Sequence, residues 1–317
     1  MEPMANRVQV KSNAMERNAI KYVGGWGVFM AVMMLCTSCE DFFEKEIDVP
    51  LPEAEEVIAL HAFFTTGEDR TMKILVSKTR PVLEEELPSD FLNDAVVNLK
   101  TEEGSIEVFP HPIIDQNRNQ AYNFETESLF IDSGKEFELT IEYPGLPTVR
   151  ARQKMPERIV PDSVIFVQHA GLSAEGNQTS ALDIYFQDPP GEENYYQVLV
   201  SRKFEPDGPA SRIYIQSVDP ATSQYEQSIL VRDLTFDGTY KRLRVFIEHW
   251  YWHNPQVELI ELEWRSISRE YFLYGRSYER YYNSVDNPFV TPAQLYTNVE
   301  DGVGIFSVGQ SVFPEPR

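Results

Sequence analysis

From Phe137 to Tyr143 the chain alternates without a break: Phe-Glu-Leu-Thr-Ile-Glu-Tyr. A helix would scatter those apolar residues around its axis. A strand with one face on a core and the other in water requires them. The same pattern puts Ala95, Val97 and Leu99 on one face. It predicts strands over Val57–Phe64, Met72–Ser77, Ala95–Thr101, Phe137–Tyr143 and Thr148–Gln153. Turn pairs lie between them: Thr66-Gly67, Glu103-Gly104, Ser133-Gly134 and Pro144-Gly145. Several short strands over about 100 residues predict an immunoglobulin-like β-sandwich across residues 57–157.

Pro156 to Pro161 breaks the pattern. Strands are again predicted over Ser163–Gln168, Leu182–Gln187, Tyr195–Arg202, Tyr240–His249, Val257–Trp264 and Ile305–Val308. Residues 158–317 therefore read as a second, larger antiparallel β domain, and the fold class is mainly β. Within it, Tyr271, Tyr274, Tyr278, Tyr281 and Tyr282 repeat at helical spacing. They predict one helix over about 268–284, with Ser266 or Ser268 as N-cap and Pro288 past its end. A tyrosine stripe of this kind reads as packing, because the ring buries while the hydroxyl stays at the edge. Pro189-Pro190-Gly191 predicts a tight connection, and Gly302 and Gly304 predict close backbone approach before the last strand.

The 317 residues carry 28 Lys and Arg against 50 Asp and Glu, a net charge of −22. That excludes a nucleic-acid role, which needs a basic surface. The N-terminal segment is different. Arg17 and Lys21 precede an uncharged run of 14 residues, Tyr22–Leu35. As a helix it would span about 21 Å, short of the roughly 30 Å hydrocarbon core. It matches a secretory signal peptide over residues 1–38, with translation starting at Met1, Met4 or Met15. The run ends Leu35-Cys36-Thr37-Ser38-Cys39, which resembles a bacterial lipobox with Cys39 as the acylated residue. Cys36 stands where an aliphatic residue is commoner. Eight of the 17 residues from Glu40 to Glu56 are acidic, so residues 39–56 read as an extended tether. Removing residues 1–38 takes away four basic and two acidic residues and leaves 24 against 48, a net of −24. It also leaves one cysteine, so stability must come from packing and not from a disulfide.

The chemistry-bearing residues are few. His249 and His253 are four apart, and Glu248 or Glu258 could add a carboxylate. Two His and one carboxylate can hold zinc, but Trp250-Tyr251-Trp252 between them is not the H-E-x-x-H pattern. Those three aromatics, followed by Asn254-Pro255, instead suggest a hairpin tip offering contact area to a glycan, a peptide or a protein. The plainer alternative is that alternate rings pack inward. No G-x-S-x-G and no phosphate-binding glycine loop is present, and Gly302-Val303-Gly304 is a lone G-x-G. No catalytic residue, metal or cofactor is expected. Asn177-Gln178-Thr179 fits N-glycosylation, which would need a eukaryotic secretory route.

Three motifs carry a family likeness. Asp188-Pro189-Pro190-Gly191-Glu192-Glu193-Asn194-Tyr195-Tyr196 resembles a "DP-x-G-x-x-NYY" element. Ile267–Tyr274 resembles a helix start. Asn287-Pro288-Phe289 and Asn298–Phe306 resemble a closing motif. Together they resemble the Bacteroidetes outer-membrane lipoproteins grouped as domain of unknown function 4249, over nearly all of the chain beyond Cys39. The resemblance implies no catalytic residues. It implies lipid anchoring in the outer membrane through Cys39 and, from gene neighbourhood in that family, partnership with a TonB-dependent transporter in capture or delivery of a nutrient, for which a glycan or peptide is one candidate cargo and a metal chelate another. The acidic run after Cys39 resembles the surface-export signal of such lipoproteins. Asp162-Ser163-Val164 resembles their O-glycosylation signal, with Ser163 as the modified residue. A surface adhesion or assembly subunit, and then a glycan- or peptide-acting enzyme, are the alternatives. Self-association would mark the first, and a carboxylate pair or metal site in a cleft the second.

Overall fold

The alternating runs are strands, and their apolar positions point where the pattern requires. Phe137, Leu139 and Ile141 are buried, while Glu136 and Glu142 at the ends of their strand are exposed. The computed structural model describes residues 55–66, 70–80, 91–115, 120–172, 176–204, 210–248, 259–285, 291 and 293–317. The first seven strands are β1 (Ile58–Thr66), β2 (Lys73–Lys78), β3 (Val96–Thr101), β4 (Gly104–Asp115), β5 (Gln120–Glu125), β6 (Glu136–Glu142) and β7 (Val149–Lys154). Next come β8 (Ser163–Leu172), β9 (Gln178–Gln187), β10 (Tyr195–Lys203), β11 (Ser211–Arg212), β12 (Ile215–Gln216), β13 (Thr222–Tyr225) and β14 (Ser228–Arg232). The chain ends with β15 (Tyr240–Glu248), β16 (Leu259–Ile267), helix α1 (Arg269–Val285), β17 (Val299–Glu300) and β18 (Val303–Val312). The protein is mainly β and sandwich-like, with one α-helix among the described residues.

One long sheet runs β13-β14-β10-β16-β18-β1-β2-β5-β4-β3-β6-β7-β17, with β11 alongside β10. A second sheet runs β12-β15-β9-β8. The described strand ladders are antiparallel except β1 with β18, which is parallel, and an isolated parallel bridge joins Val164 to Pro316. The long sheet turns over on itself at β4. Val108 and the residues before it pair with β3, whereas Phe109 onward pairs with β5, and the register shifts between Pro110 and Ile113. A proline cannot donate to a ladder, and a bulge is where a strand tolerates one.

That fold-over makes the first core. β1, β2 and β18 face β3, β6 and β7 across Leu60, Ile74, Phe306, Leu99, Leu139 and Val149. Phe64 and Phe137 meet across it with ring centroids 6.4 Å apart. The second core lies between the short sheet and β10, β14 and β16, with Phe186, Tyr196 and Trp264 at its centre. Each fully buried side chain of this size contributes roughly 1.5–3 kcal/mol. β18 serves both, giving Phe306 and Val308 to the first core and Val312 to the second.

The opposite face of the long sheet carries α1. Its first turn is fixed by Ser268, whose Oγ accepts from the Tyr271 N–H at 3.4 Å and whose own N–H donates to the Val308 carbonyl. Tyr271 and Phe272 pack with Tyr195, Tyr225, Leu230 and Ile267 in a third cluster. Gly275 permits the approach: a Cβ there would lie 2.6 Å from Leu230 Cδ1. The tyrosine stripe thus packs at its N-terminal end, and Tyr282 at the far end is exposed.

Candidate functional site

β16 alternates Leu262 and Trp264 into the second core, which turns Glu263 and Arg265 to the other face of the sheet. Such a face ordinarily meets water. Here both side chains are buried, Arg265 to 4% and Glu263 to 6% exposure. A buried charge must be paired and hydrogen-bonded. Glu263 accepts from Arg265 Nε at 2.6 Å, from Arg212 Nη2 at 2.7 Å and from Ser311 Oγ at 2.7 Å. Burial pushes its carboxyl up, but the charges and hydrogen bonds of Arg265 and Arg212 outweigh that and hold it at about 2. Glu263 is therefore ionised, and two guanidinium groups share one carboxylate.

Gln197 continues the row. It lies opposite Arg265 in the β10–β16 register and accepts from Arg265 Nη1 at 3.2 Å. Its Nε2 donates to Ser228 Oγ at 2.9 Å and to the Tyr271 hydroxyl at 3.3 Å. Arg265 Nη2 has no hydrogen-bond partner among the described residues. The guanidinium carbon sits 5.3 Å from the Phe63 ring centroid, and Phe63 stacks on Tyr271 with centroids 4.7 Å apart.

Gln197 and Arg265 of this row line a cleft of about 370 Å³. Its walls come from β1 (His61, Phe63), β5 (Tyr122), β11 (Arg212), the Tyr225–Ser228 turn and Tyr271 of α1. The volume lies in the range of small-ligand sites, about 300–1,000 Å³. Aromatic walls around fixed hydrogen-bonding groups suit binding of one ring-sized unit. Gln197 and Arg265 stand on paired strands, β10 and β16, which fixes their positions.

A second cluster brings Asp188, Asp233 and Asp237 together, with carboxylate oxygens within 4.8 Å of one another. Such a set can hold a hard cation. Each carboxylate, however, already fastens a turn. Asp188 accepts from the Tyr196 hydroxyl and from the Gly238 N–H at 3.0 Å. Asp233 accepts from the Asn194 N–H at 2.6 Å, and Asp237 from the Gly191 N–H at 2.8 Å. Burial raises the Asp188 and Asp233 carboxyls above the ordinary range. The cluster acts as a clasp between the 188–194 and 233–239 turns. Likewise Asn298 exchanges two hydrogen bonds with the Phe306 backbone, at 2.7 and 3.0 Å, and closes β17 on β18. In two of the three motifs that carry the family likeness, these hydrogen bonds are thus architectural.

Of the residues singled out in the sequence, Ser163 opens β8 and is half-buried, its Cα opposite Tyr185. Cys39, His249, Trp250, Tyr251, Trp252, His253 and Glu258 lie outside the described residues. Gln197, Arg212, Glu263 and Arg265 were not singled out. Their only local signal is Glu-x-Arg on the polar face of an alternating strand. No helix among the described residues is long and apolar enough to cross a membrane.

Fold and cleft define a two-core β protein with a small, polar-floored and aromatic-walled cleft on the sheet that joins the cores. By sequence, the chain belongs to the family described as "Domain of unknown function (DUF4249)", which matches residues 44–312. No curated protein matches it.

Proposed function

We propose that this chain is a non-enzymatic binding lipoprotein of the outer membrane, anchored through Cys39 and acting beside a TonB-dependent transporter in nutrient uptake. The observation that carries the binding role is the cleft of about 370 Å³, lined by the rings of Phe63, Tyr122, Tyr225 and Tyr271 together with Gln197 and the buried Arg265. Anchoring is argued from the signal-like run ending at Cys39 and from the acidic tether behind it. The transporter comes from the family likeness. Trp250, Tyr251 and Trp252 are the proposed contact with that partner or with a glycan or peptide cargo.

The test is an affinity pull-down of the tagged chain from detergent-solubilised outer membrane, with mass spectrometry of what accompanies it. A stoichiometric TonB-dependent barrel is expected. Recovery of the chain alone, or only with copies of itself, would overturn the transporter partnership. Palmitate labelling that persists in Cys39→Ala would overturn the anchor.

A further inference from the structure

We propose that a second cleft, lined from β8, β9, β12, β13 and β15, binds an uncharged sugar unit, with Thr179 as a residue that hydrogen-bonds it. This rests on the reading of the chain as a binding protein and gives that reading a ligand class at another place in the fold. The cleft measures about 480 Å³ and shares no lining residue with the first. Thr179 on β9 lines it and is 5% exposed, yet its Oγ1 has no hydrogen-bond partner among the described residues. A buried hydroxyl left unmade is costly, and a ligand that reaches it removes that penalty. Gly171 lies opposite Thr179 in the β8–β9 ladder, just past its register shift. A Cβ on Gly171 would stand 3.6 Å from Thr179 Oγ1 and 3.7 Å from Phe246 Cε1. The missing side chain therefore leaves a point where a hydroxyl and a ring meet at ordinary contact distance. A ligand carbon seated there touches the Phe246 ring, and a hydroxyl borne on it is within reach of Thr179.

Charge selects against ions. Among the described residues the lining holds no Lys, Arg, His, Asp or Glu. Two charged residues beside it in sequence are engaged elsewhere. Asp219 accepts from Lys241 Nζ at 2.6 Å, and Arg244 forks onto Asp183 at 2.7 Å through both Nε and Nη2. An ionic ligand would lose its hydration here without meeting a counter-charge. The chain's net charge of −22 further opposes an anion.

The remaining lining is of two kinds. Gln216, Ser223 and Gln224 supply amides and a hydroxyl, and Gln224 is held by its Nε2 donating to the Glu226 carbonyl at 2.9 Å. Tyr214 and Phe246 supply rings, and Leu172 and Val218 are largely exposed. A hydrocarbon would cover the rings and leave Thr179 and the amides unmade. An open-chain polyol would meet the amides without offering the rings a flat face. A sugar has both, an apolar C–H face and a rim of hydroxyls. Each of those hydroxyls can donate or accept, so Thr179 is satisfied in either sense. The volume suits one such unit, since small-ligand sites run from about 300 to 1,000 Å³. Two sources share this chemistry: a free monosaccharide and the end of a neutral glycan.

The test is calorimetric titration of the purified full chain with galactose, glucose and N-acetylglucosamine. Galacturonic acid, glucuronic acid and glucosamine are the charged counterparts. At least one neutral sugar is expected to bind about tenfold or more tightly than its charged counterpart. Thr179→Val keeps the shape and removes the hydroxyl. It should weaken that sugar about tenfold and leave the urea midpoint equal or higher, because no hydrogen bond of the folded chain is lost. A Thr179 with only a structural role would lower the midpoint and leave affinity unchanged. Gly171→Leu should fill the contact point and abolish binding, with thermal unfolding to report that the variant is folded. Phe63→Leu, in the first cleft, should bind the sugar as wild type does. A disaccharide that binds more tightly than its monosaccharide marks a glycan end as the ligand, and one that binds less tightly marks the free sugar. No binding of any neutral sugar at millimolar concentration, equal binding of neutral and charged sugars, or wild-type affinity in Thr179→Val would overturn the inference. The pull-down is scored separately. A barrel that copurifies with a chain binding no sugar would overturn the ligand class and leave the transporter reading standing. Sugar binding without a barrel would do the reverse.

Discussion

Two residues show how much of this molecule is decided by single atoms. Gly304 has φ +115°, and a Cβ there would sit 1.9 Å from the Leu60 carbonyl oxygen on the parallel neighbour β1. Neither strand can yield without breaking the ladder that joins them. Gly304→Ala should therefore cost about 3 kcal/mol or more, read as a drop in the urea midpoint. An unchanged midpoint would show that the β1–β18 approach relaxes freely. Glu263 governs a different quantity. Its carboxyl is held at about 2 in the folded protein, below its ordinary value of about 4.3 when unfolded. A depressed acid stabilises the fold above its unfolded value and loses that contribution as pH falls toward its folded value. Glu263→Gln removes the counter-charge of the buried Arg265 guanidinium and should cost about 3–5 kcal/mol near pH 7. The gap between wild type and variant should shrink as pH drops from about 4.5 to about 2, because only the wild type has a proton to take up. Denaturant midpoints measured along that range check it. A gap independent of pH would mean that Glu263 is not ionised.

At the scale of elements, α1 depends on its first turn. Ser268 caps the Tyr271 N–H and ties the helix start to Val308. Ser268→Ala should cost about 1 kcal/mol, and Ser268→Thr, which keeps the hydroxyl, should recover most of it. Far-UV melting of the three proteins decides this, and equal midpoints for Ala and Thr would remove the cap from the account. The helix was legible because its tyrosines repeat at 3, 4 and 7, and the main strands were legible because they alternate. β6, expected over Phe137–Tyr143, spans Glu136–Glu142. β4 was not legible: no strand was expected there, Pro110 and Pro112 interrupt its alternation, and it pairs with two different partners across a register shift. β11 and β12, two residues each, exist only because β10 and β15 hold them. The glycine approach at Gly304 and the turn at Gly191 were local signals and could be read. The cleft could not. It needs Gln197 beside Arg265, 68 residues apart, and Phe63 from the other end of the chain. Alternation showed that Glu263 and Arg265 face away from the core, but nothing local says that this face is covered.

The whole molecule is joined through one strand. β18 pairs with β1 on one side and β16 on the other, and its side chains feed both cores. Damage to either core should therefore be felt in both. Leu139 is fully buried in the first core, and Leu139→Ala should cost about 2–5 kcal/mol. Trp264 is fully buried in the second. With Trp250 and Trp252 replaced by Phe, it becomes the sole tryptophan after Trp26 and reports on its own core. If the cores unfold as one unit, Trp264 fluorescence and far-UV dichroism will trace the same urea transition, and Leu139→Ala will lower both midpoints equally. If the cores are separable, the dichroism will split into two steps, and Trp264 will keep its wild-type midpoint while the first core melts. A shared strand predicts the first outcome. Withdrawing β18 from the first core would strip β1 of its parallel partner and leave β16 with an unpaired edge, so neither half can open alone without exposing the ladder of the other.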